Sequence, residues 1–499
     1  MGISPIAVFE ISACLIMIYK QRIRFPFLLA LLFCTNLFAQ NKRSGDDAQL
    51  LVTTNDRSIE LKKIMVKSSA TTATIKINLD RSVRFQEMDG FGEAITGSTC
   101  YNLLHMNKKD RLRFLKETFD PIQGYGHSYV RMSIGCSDFS LSEYTCCDKE
   151  GIENFALQDE EKNYVIPVLK EILKINPAVK ILGSPWTCPR WMKVNNLSEL
   201  QPFNSWTSGQ LNPKYYSDYA VYFSKWINAF AKEGIKIYAV TLQNEPLNRK
   251  NSASLFMGWE EERDFVKVLG AQFAAEKIGT KIYVFDHNYN YDNMPDQKGY
   301  PLHIYQDSVA AQYIAGAAYH NYGGNRKELR YIHTARPDKE LLFTETSIGT
   351  WNHGRDLSNR LLEDMEDVGL GTVNNWCKGA MVWNLMLDSD KGPWRDGGCK
   401  TCYGAVDIDR KDYKSISKNS HYYVISHLAA VVKPGAVRIG TNGNTQDGII
   451  YAGFENKDGS LAVVLLNKTD QQKEITVADG KRQYSYAVPA KSVVSYRWK

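Results

Sequence analysis

At 499 residues, with 43% hydrophobic and 23% charged content, the chain holds enough apolar material for one large core and a smaller satellite, which excludes a disordered protein. The formal net charge of +6 is small for this length and comes partly from a basic cluster near the N-terminus, so it points neither to nucleic acid nor to an anionic membrane surface.

Residues 1–39 read as a secretory signal. Lys20, Arg22 and Arg24 precede the apolar run 25–33, and Asn36-Leu37-Phe38-Ala39 offers cleavage after Ala39. Met17 stands just ahead of the basic cluster, so a start there would make the preceding residues an extension. The protein is therefore expected to be exported, to the periplasm, cell surface or extracellular space, with no stable membrane insertion once the signal is cleaved. Cys34 raises a lipid-anchor reading, which the bulky Phe33 before it disfavours. Eight of the ten cysteines lie beyond the leader, in a compartment where disulfides are permitted. Cys399-Lys400-Thr401-Cys402 reads as a small local disulfide or reduced thiols rather than a metal site, because no second such pair completes four ligands. Cys146 and Cys147 are expected to pair with Cys100, Cys136, Cys188 or Cys377 rather than with each other.

Residues 40–72 are polar and read as a linker at the start of the mature chain. Over 73–88 apolar and polar residues alternate (Ile75, Ile77, Leu79, then Val83 and Phe85), the mark of half-buried strands that need a partner sheet. The far end supplies one. Over 433–499, short alternating runs at 449–454, 461–467, 474–477, 484–488 and 492–498 are broken by turn signals such as Asn456-Lys457-Asp458-Gly459. Both ends together are expected to form one antiparallel β-sandwich.

Residues 89–432 follow a different pattern. Apolar runs at 90–92, 129–134, 180–184, 237–242, 281–285, 317–320, 341–344 and 380–385 alternate with helical periodicity over 164–175, 215–232 and 263–278. Eight strands with crossover helices predict an α/β fold, a (β/α)8 TIM barrel, flanked by the two-ended sandwich. An open doubly wound sheet would want a third glycine after Gly90-Phe91-Gly92, where Glu93 stands instead.

The strand ends carry the chemistry. The fourth strand runs into Asn244-Glu245-Pro246, where the proline stops the chain from continuing as a helix and leaves a carboxylate at the rim. The seventh ends in Glu345 in the same manner. Two such acids, far apart in sequence and expected on nearly opposite walls of one rim, suit glycoside hydrolysis, one as proton donor and one as nucleophile or base. Around them stand Arg131 and Asp138, Trp186, Asp286 and His287, His320 and Tyr322, then Trp383 and Asn384. Aromatic faces suit the apolar face of a pyranose, and amides, imidazoles and carboxylates suit its hydroxyls. Each residue also has a plainer reading: Trp186 and Trp383 as core, His320 as an interior histidine, Asp138 as a helix N-cap.

These segments resemble glycoside hydrolase family 30, the glucosylceramidase and β-1,6-glucanase group, across nearly the whole mature chain. The resemblance is carried by the segments at 88–95, 131–139, 183–191, 239–246, 320–322, 343–346 and 383–387, in order and in spacing. It implies Glu245 as acid/base and Glu345 as nucleophile. It also implies a glucosyl subsite lined by Asp138, Trp186, Asn244, Tyr322 and Trp383, with His320 and Arg131 close by. One departure is Asn321, where the human lysosomal members have Trp. The chemistry expected is retaining, with Glu245 held at a raised pKa by the neighbouring Glu345 and the aromatic walls, Asn244 on the 2-hydroxyl, and no metal or organic cofactor. The expected partner is a β-glucan or β-glucoside, β-1,6-glucan before glucosylated lipid because no amphipathic stretch suits a lipid headgroup. Trp394, in the loop 391–398, is a candidate stacking platform beyond the catalytic subsite. A non-catalytic carbohydrate-binding protein would be marked by loss of either glutamate, and both are present.

Overall fold

The computed structural model describes residues 47–499 apart from 71–72, 290–293 and 445. The signal segment and the alternative start lie outside the described residues. Among the described residues no helix is long and apolar enough to cross a membrane.

Eight parallel strands close into a barrel: Gly90–Ala94, Tyr129–Ile134, Lys180–Pro185, Ala239–Thr241, Lys281–Asn288, Ile314–His320, Glu340–Glu345 and Cys377–Val382. Every residue of the first two strands is buried, as expected where helices cover the outside and side chains fill the inside. The first strand lies so close to the second that a Cβ on Gly92 would sit 1.8 Å from the Tyr129 carbonyl oxygen.

The two-residue period of a strand sorts the interior into layers. Tyr129, Leu182, Ala239, Tyr283, Ala318, Leu342 and Met381 pack together as an apolar layer. Two residues beyond six of these seven stand Arg131, Ser184, Thr241, His320, Thr344 and, just past the end of its strand, Trp383. The fifth strand breaks the rule. Its register against the sixth slips between Phe285 and His287, and Phe285 and Asp286 take positive φ (76° and 50°). The bulge turns Phe285 outward into the main core and leaves Asp286 to face the polar layer.

The second unit of structure is a nine-stranded sheet whose order is Lys62–Lys67, Asp47–Thr54, Ser492–Trp498, Leu461–Asn467, Ile449–Glu455, Val437–Asn442, Ile75–Glu87, Lys473–Ala478 and Gln483–Val488. It is the two-ended sandwich, antiparallel except where Ile475–Ala478 runs parallel to Ile75–Asn78. Residues 40–72 differ from the linker expected there, because they contain two of its strands. Ala48, Leu50 and Val52 of the first alternate into the sandwich core, and Leu51 turns the other way, into the core of the barrel. Leu461–Asn467 is buried on both faces: Leu461, Val463 and Leu465 fill the sandwich, whereas Ala462, Val464 and Leu466 join the barrel core. The latter core includes Tyr422, Ile425 and Leu428 of the helix Ser420–Val431.

Cys399 and Cys402 form a disulfide. Cys100, Cys136, Cys146, Cys147, Cys188 and Cys377 are buried free thiols, contrary to the pairing expected of Cys146 and Cys147. They are distributed through the core as small apolar side chains, and burial pushes Cys136 and Cys188 up to about 12.

Candidate active site

Glu245 and Glu345 emerge from the fourth and seventh strands into one cleft, each only 6% exposed. One carboxylate oxygen of each and a ring nitrogen of His320 all lie within 4.8 Å of one another. That bound on their nearest oxygens agrees with the roughly 5–5.5 Å of retaining enzymes and falls short of the roughly 6.5–9.5 Å of inverting ones.

Beneath the acids lies a buried polar network centred on Asp286. Its carboxylate accepts hydrogen bonds from Ser184 Oγ (2.6 Å), Thr241 Oγ1 (2.7 Å), Thr344 Oγ1 (2.6 Å), Arg131 Nη2 (2.7 Å) and His320 Nε2 (3.0 Å). These donors come from the second, third, fourth, sixth and seventh strands, so the polar layer converges on the one residue that the bulge turns inward. Burial alone would raise the Asp286 pKa, but Arg131, His320 and Ser184 hold it well below the usual carboxylate range.

Arg131 carries this order upward. It ion-pairs with Glu345 through Nη1 and donates to Asn244 Oδ1 through Nη2 at 2.8 Å. Its guanidinium is fully buried against the carboxylates it holds. The same holds for His320. Burial pushes this imidazole down, yet the surrounding Glu345, Asp286 and Glu245 outweigh burial and hold it up at about 9. Charged at neutral pH, it donates to Asp286 from Nε2 and faces Glu245 Oε1 from Nδ1 at 3.4 Å.

The remaining sequence-predicted residues surround the pair. Tyr322 donates its hydroxyl to Glu345 Oε1 at 3.0 Å, and its oxygen lies 3.0 Å from the Ser347 hydroxyl. Trp186 and Trp383 stack with centroids 4.9 Å apart, and the Arg131 guanidinium lies 5.0 and 5.2 Å from their rings. Asp138 Oδ1 is buried without a hydrogen-bond partner, and burial followed by the nearby Glu345 pushes this carboxyl up to about 7, against the lowering effect of Arg395. Trp394 is 36% exposed, with Lys400 Nζ 4.5 Å from its ring centroid. Its loop is fastened by Arg395, which donates to the Ser137 carbonyl (2.8 Å), Glu143 (2.9 Å) and Ser252 Oγ (3.2 Å).

Two side chains escaped sequence reading. Asn248 and Asn251, in the loop after Pro246, both donate to Glu245 Oε2, at 2.8 and 2.6 Å. One expectation is reversed. Burial raises the Glu245 pKa, but the His320, His287 and Asn248 contacts prevail and hold it at about 2. Burial, with Glu245 nearby, instead pushes Glu345 up, against the lowering effects of His320 and Arg131. The Glu245, His320 and Glu345 group is also the one set of His and acidic side chains among the described residues spaced to grip a cation. Arg131 against Glu345 and the charge on His320 oppose one. A cavity of about 840 Å³ lined by Asn321, Arg330, Tyr331 and Asp367 contains neither glutamate. It is separate from this chemistry.

The glycosyl hydrolase family 30 TIM-barrel domain matches residues 88–432, and the family's beta sandwich domain matches residues 435–496. Among solved structures, the endo-β1,6-glucanase BT3312 is similar at 64% identity with a TM-score of 0.90, over 91% of this chain and 99% of that one. The endo-1,6-β-D-glucanase of Neurospora crassa is 29% identical over 451 residues, 85% of this chain and 88% of that protein. The lysosomal acid glucosylceramidase of Mus musculus is 25% identical over 481 residues, 90% of this chain and 88% of that protein. With the barrel, the sandwich and the paired glutamates all in place, this chain belongs to glycosyl hydrolase family 30 and is a glycosidase.

Proposed function

We propose that the protein is an exported, retaining endo-β-1,6-glucanase. The observation that carries the reading is the paired carboxylates at retaining distance, in a chain 64% identical to an endo-β1,6-glucanase over 91% of its length. Glu345 is the nucleophile. Arg131 and Tyr322 fix its two oxygens, so the carboxylate needs little reorganisation to attack the anomeric carbon. Glu245 is the acid/base. Asn248 and Asn251 occupy Oε2, so Oε1, which faces His320 Nδ1 at 3.4 Å, is the oxygen from which a proton passes to the departing oxygen.

The protein groups around Glu245 favour its anion, so substrate must reverse the order. Positive charge developing on the sugar ring stabilises ionised Glu345, and a glucosyl unit that excludes water penalises a second anion beside it. One proton then belongs on Glu245. Attack neutralises Glu345 and returns Glu245 to its anionic preference, as required of the base that activates water in the second step. Asn244, whose Oδ1 is taken by Arg131, keeps its amide protons for the 2-hydroxyl, and the unpaired Asp138 Oδ1 accepts from another hydroxyl. Export rests on the basic and apolar pattern of residues 20–39 and is checked by locating activity outside the cytoplasm.

The test is to incubate purified protein with β-1,6-glucan, β-1,3-glucan, xylan and glucosylceramide and to separate the products. A ladder of β-1,6-linked oligosaccharides is expected from the first alone. Cleavage of glucosylceramide with none of β-1,6-glucan would overturn the substrate assignment.

A further inference from the structure

Six residues beyond Glu345, Trp351 is 53% exposed, one of the most exposed large hydrophobic side chains among the described residues. Its setting is ordered. Ile348–Gly349 pairs with Cys402–Tyr403, and Thr350 N donates to the Thr401 carbonyl at 2.9 Å, so the loop after the seventh strand is stitched to the loop after the eighth. The disulfide Cys399–Cys402 closes that second segment, and the Arg355 guanidinium lies 4.1 Å from the Tyr403 ring centroid. The indole lies down on Gly349: a Cβ there would sit 1.9 Å from Trp351 Cζ3, so only glycine gives the ring this bed. Gly349 N in turn donates to Asn352 Oδ1 at 2.9 Å, which fixes the turn.

We propose that Trp351 is a stacking platform for a glucosyl unit of the glucan outside the catalytic subsite, paired with Trp394, which touches the same disulfide-closed segment. Both tryptophans are attached to residues 399–403, Trp394 through Lys400 and Trp351 through the Thr350 to Thr401 hydrogen bond. Both belong to loops that leave the barrel at the rim carrying Glu345. An indole held flat on a glycine by a stapled turn has its conformational entropy already lost, so a sugar face that covers it gains contact area at little further ordering cost. The ligand class is a β-linked glucan with an apolar ring face free to stack. This rests on the β-glucan reading above.

Calorimetric titration on the Glu345→Gln background, which binds without turning over, separates the two claims. Parent protein, Trp351→Ala, Trp351→Phe and Gly349→Ala are each titrated with β-1,6- and β-1,3-linked glucose oligosaccharides of two to six units, and with an aryl β-glucoside. Trp351→Ala should weaken binding of the longer oligosaccharides about five- to tenfold and that of the aryl glucoside less than twofold. Trp351→Phe should recover part of the loss, and Gly349→Ala, which lifts the ring from its bed, should reproduce it. Unchanged affinity for long oligosaccharides in Trp351→Ala, or equal losses for long and short ligands, overturns the platform. If the parent prefers the β-1,3 series, the linkage assignment fails while the platform is still judged on that series.

Discussion

Replacing Asp286 with Asn removes one negative charge from a fully buried carboxylate with five donors and changes little in volume. The amide keeps one acceptor oxygen but turns an NH2 group toward hydroxyls and cations that now lack a partner. Two of the five donors are Arg131 and His320, both fully buried and both charged. Breaking a buried ion network by removing one member costs about 3 to 5 kcal/mol, so the variant should lose that much unfolding free energy at pH 7. The effect has a pH signature. Asp286 is depressed, so its contribution is present above the unfolded carboxylate pKa and is lost as pH falls through its folded value. His320 is raised from 6.5 to about 9, so its contribution is complete below about 6.5 and is lost as pH rises through about 9. A shift of that size in a buried imidazole corresponds to roughly 3 kcal/mol. Parent stability should therefore decline between about pH 6.5 and 9 by an amount of that order, and Asp286→Asn should blunt the decline. Guanidinium unfolding from pH 5 to 10, with the His320 imidazole followed by NMR, measures both. A stability loss under 1 kcal/mol with the His320 titration still near pH 9 would refute the view that Asp286 organises the site.

Other outcomes follow from the same geometry. Glu345→Gln should abolish turnover of every substrate, whereas Glu245→Ala should lose about 10²- to 10⁴-fold on glucan yet keep activity on aryl glycosides whose leaving groups need no protonation, with rescue by azide; identical behaviour across leaving groups would mean the roles are misassigned. Trp394→Ala should raise KM for β-1,6-glucan oligomers about fivefold, on the order of 1 kcal/mol, with far less effect on a small aryl glucoside, and equal losses on both would make it structural. Asn251→Ala should shift the acid limb of the kcat/KM profile upward, because a donor to the Glu245 anion is gone; an unmoved limb would show that this contact does not tune the acid. Gly92→Ala should cost roughly 3 kcal/mol or more in thermal or chemical unfolding, since its Cβ would meet the Tyr129 carbonyl.

The sequence disclosed what is periodic or punctuated. Eight apolar runs, a proline after Glu245 and an acid closing the seventh run sufficed to place both glutamates on one rim. The network below them was hidden for a geometric reason: Asp286 meets Arg131, Ser184, Thr241, His320 and Thr344 only because barrel closure brings strands 2, 3, 4, 6 and 7 around it. The bulge that aims it depends on backbone angles that no residue there announces. Asn248 and Asn251 were hidden differently, since asparagines after a proline read as an ordinary turn. The strand Lys62–Lys67 was masked by its lysines, yet Ile64 and Val66 alternate correctly for an edge strand with one solvated face.

Retention by Glu245 and Glu345 on a β-1,6-linked glucan is the central claim, and the anomeric configuration of the first product tests it most directly. Proton NMR spectra taken in the first minutes of β-1,6-glucan hydrolysis should show the new reducing ends as the β-anomer, with the α-anomer growing in only as mutarotation proceeds. New ends that first appear as the α-anomer would contradict the account.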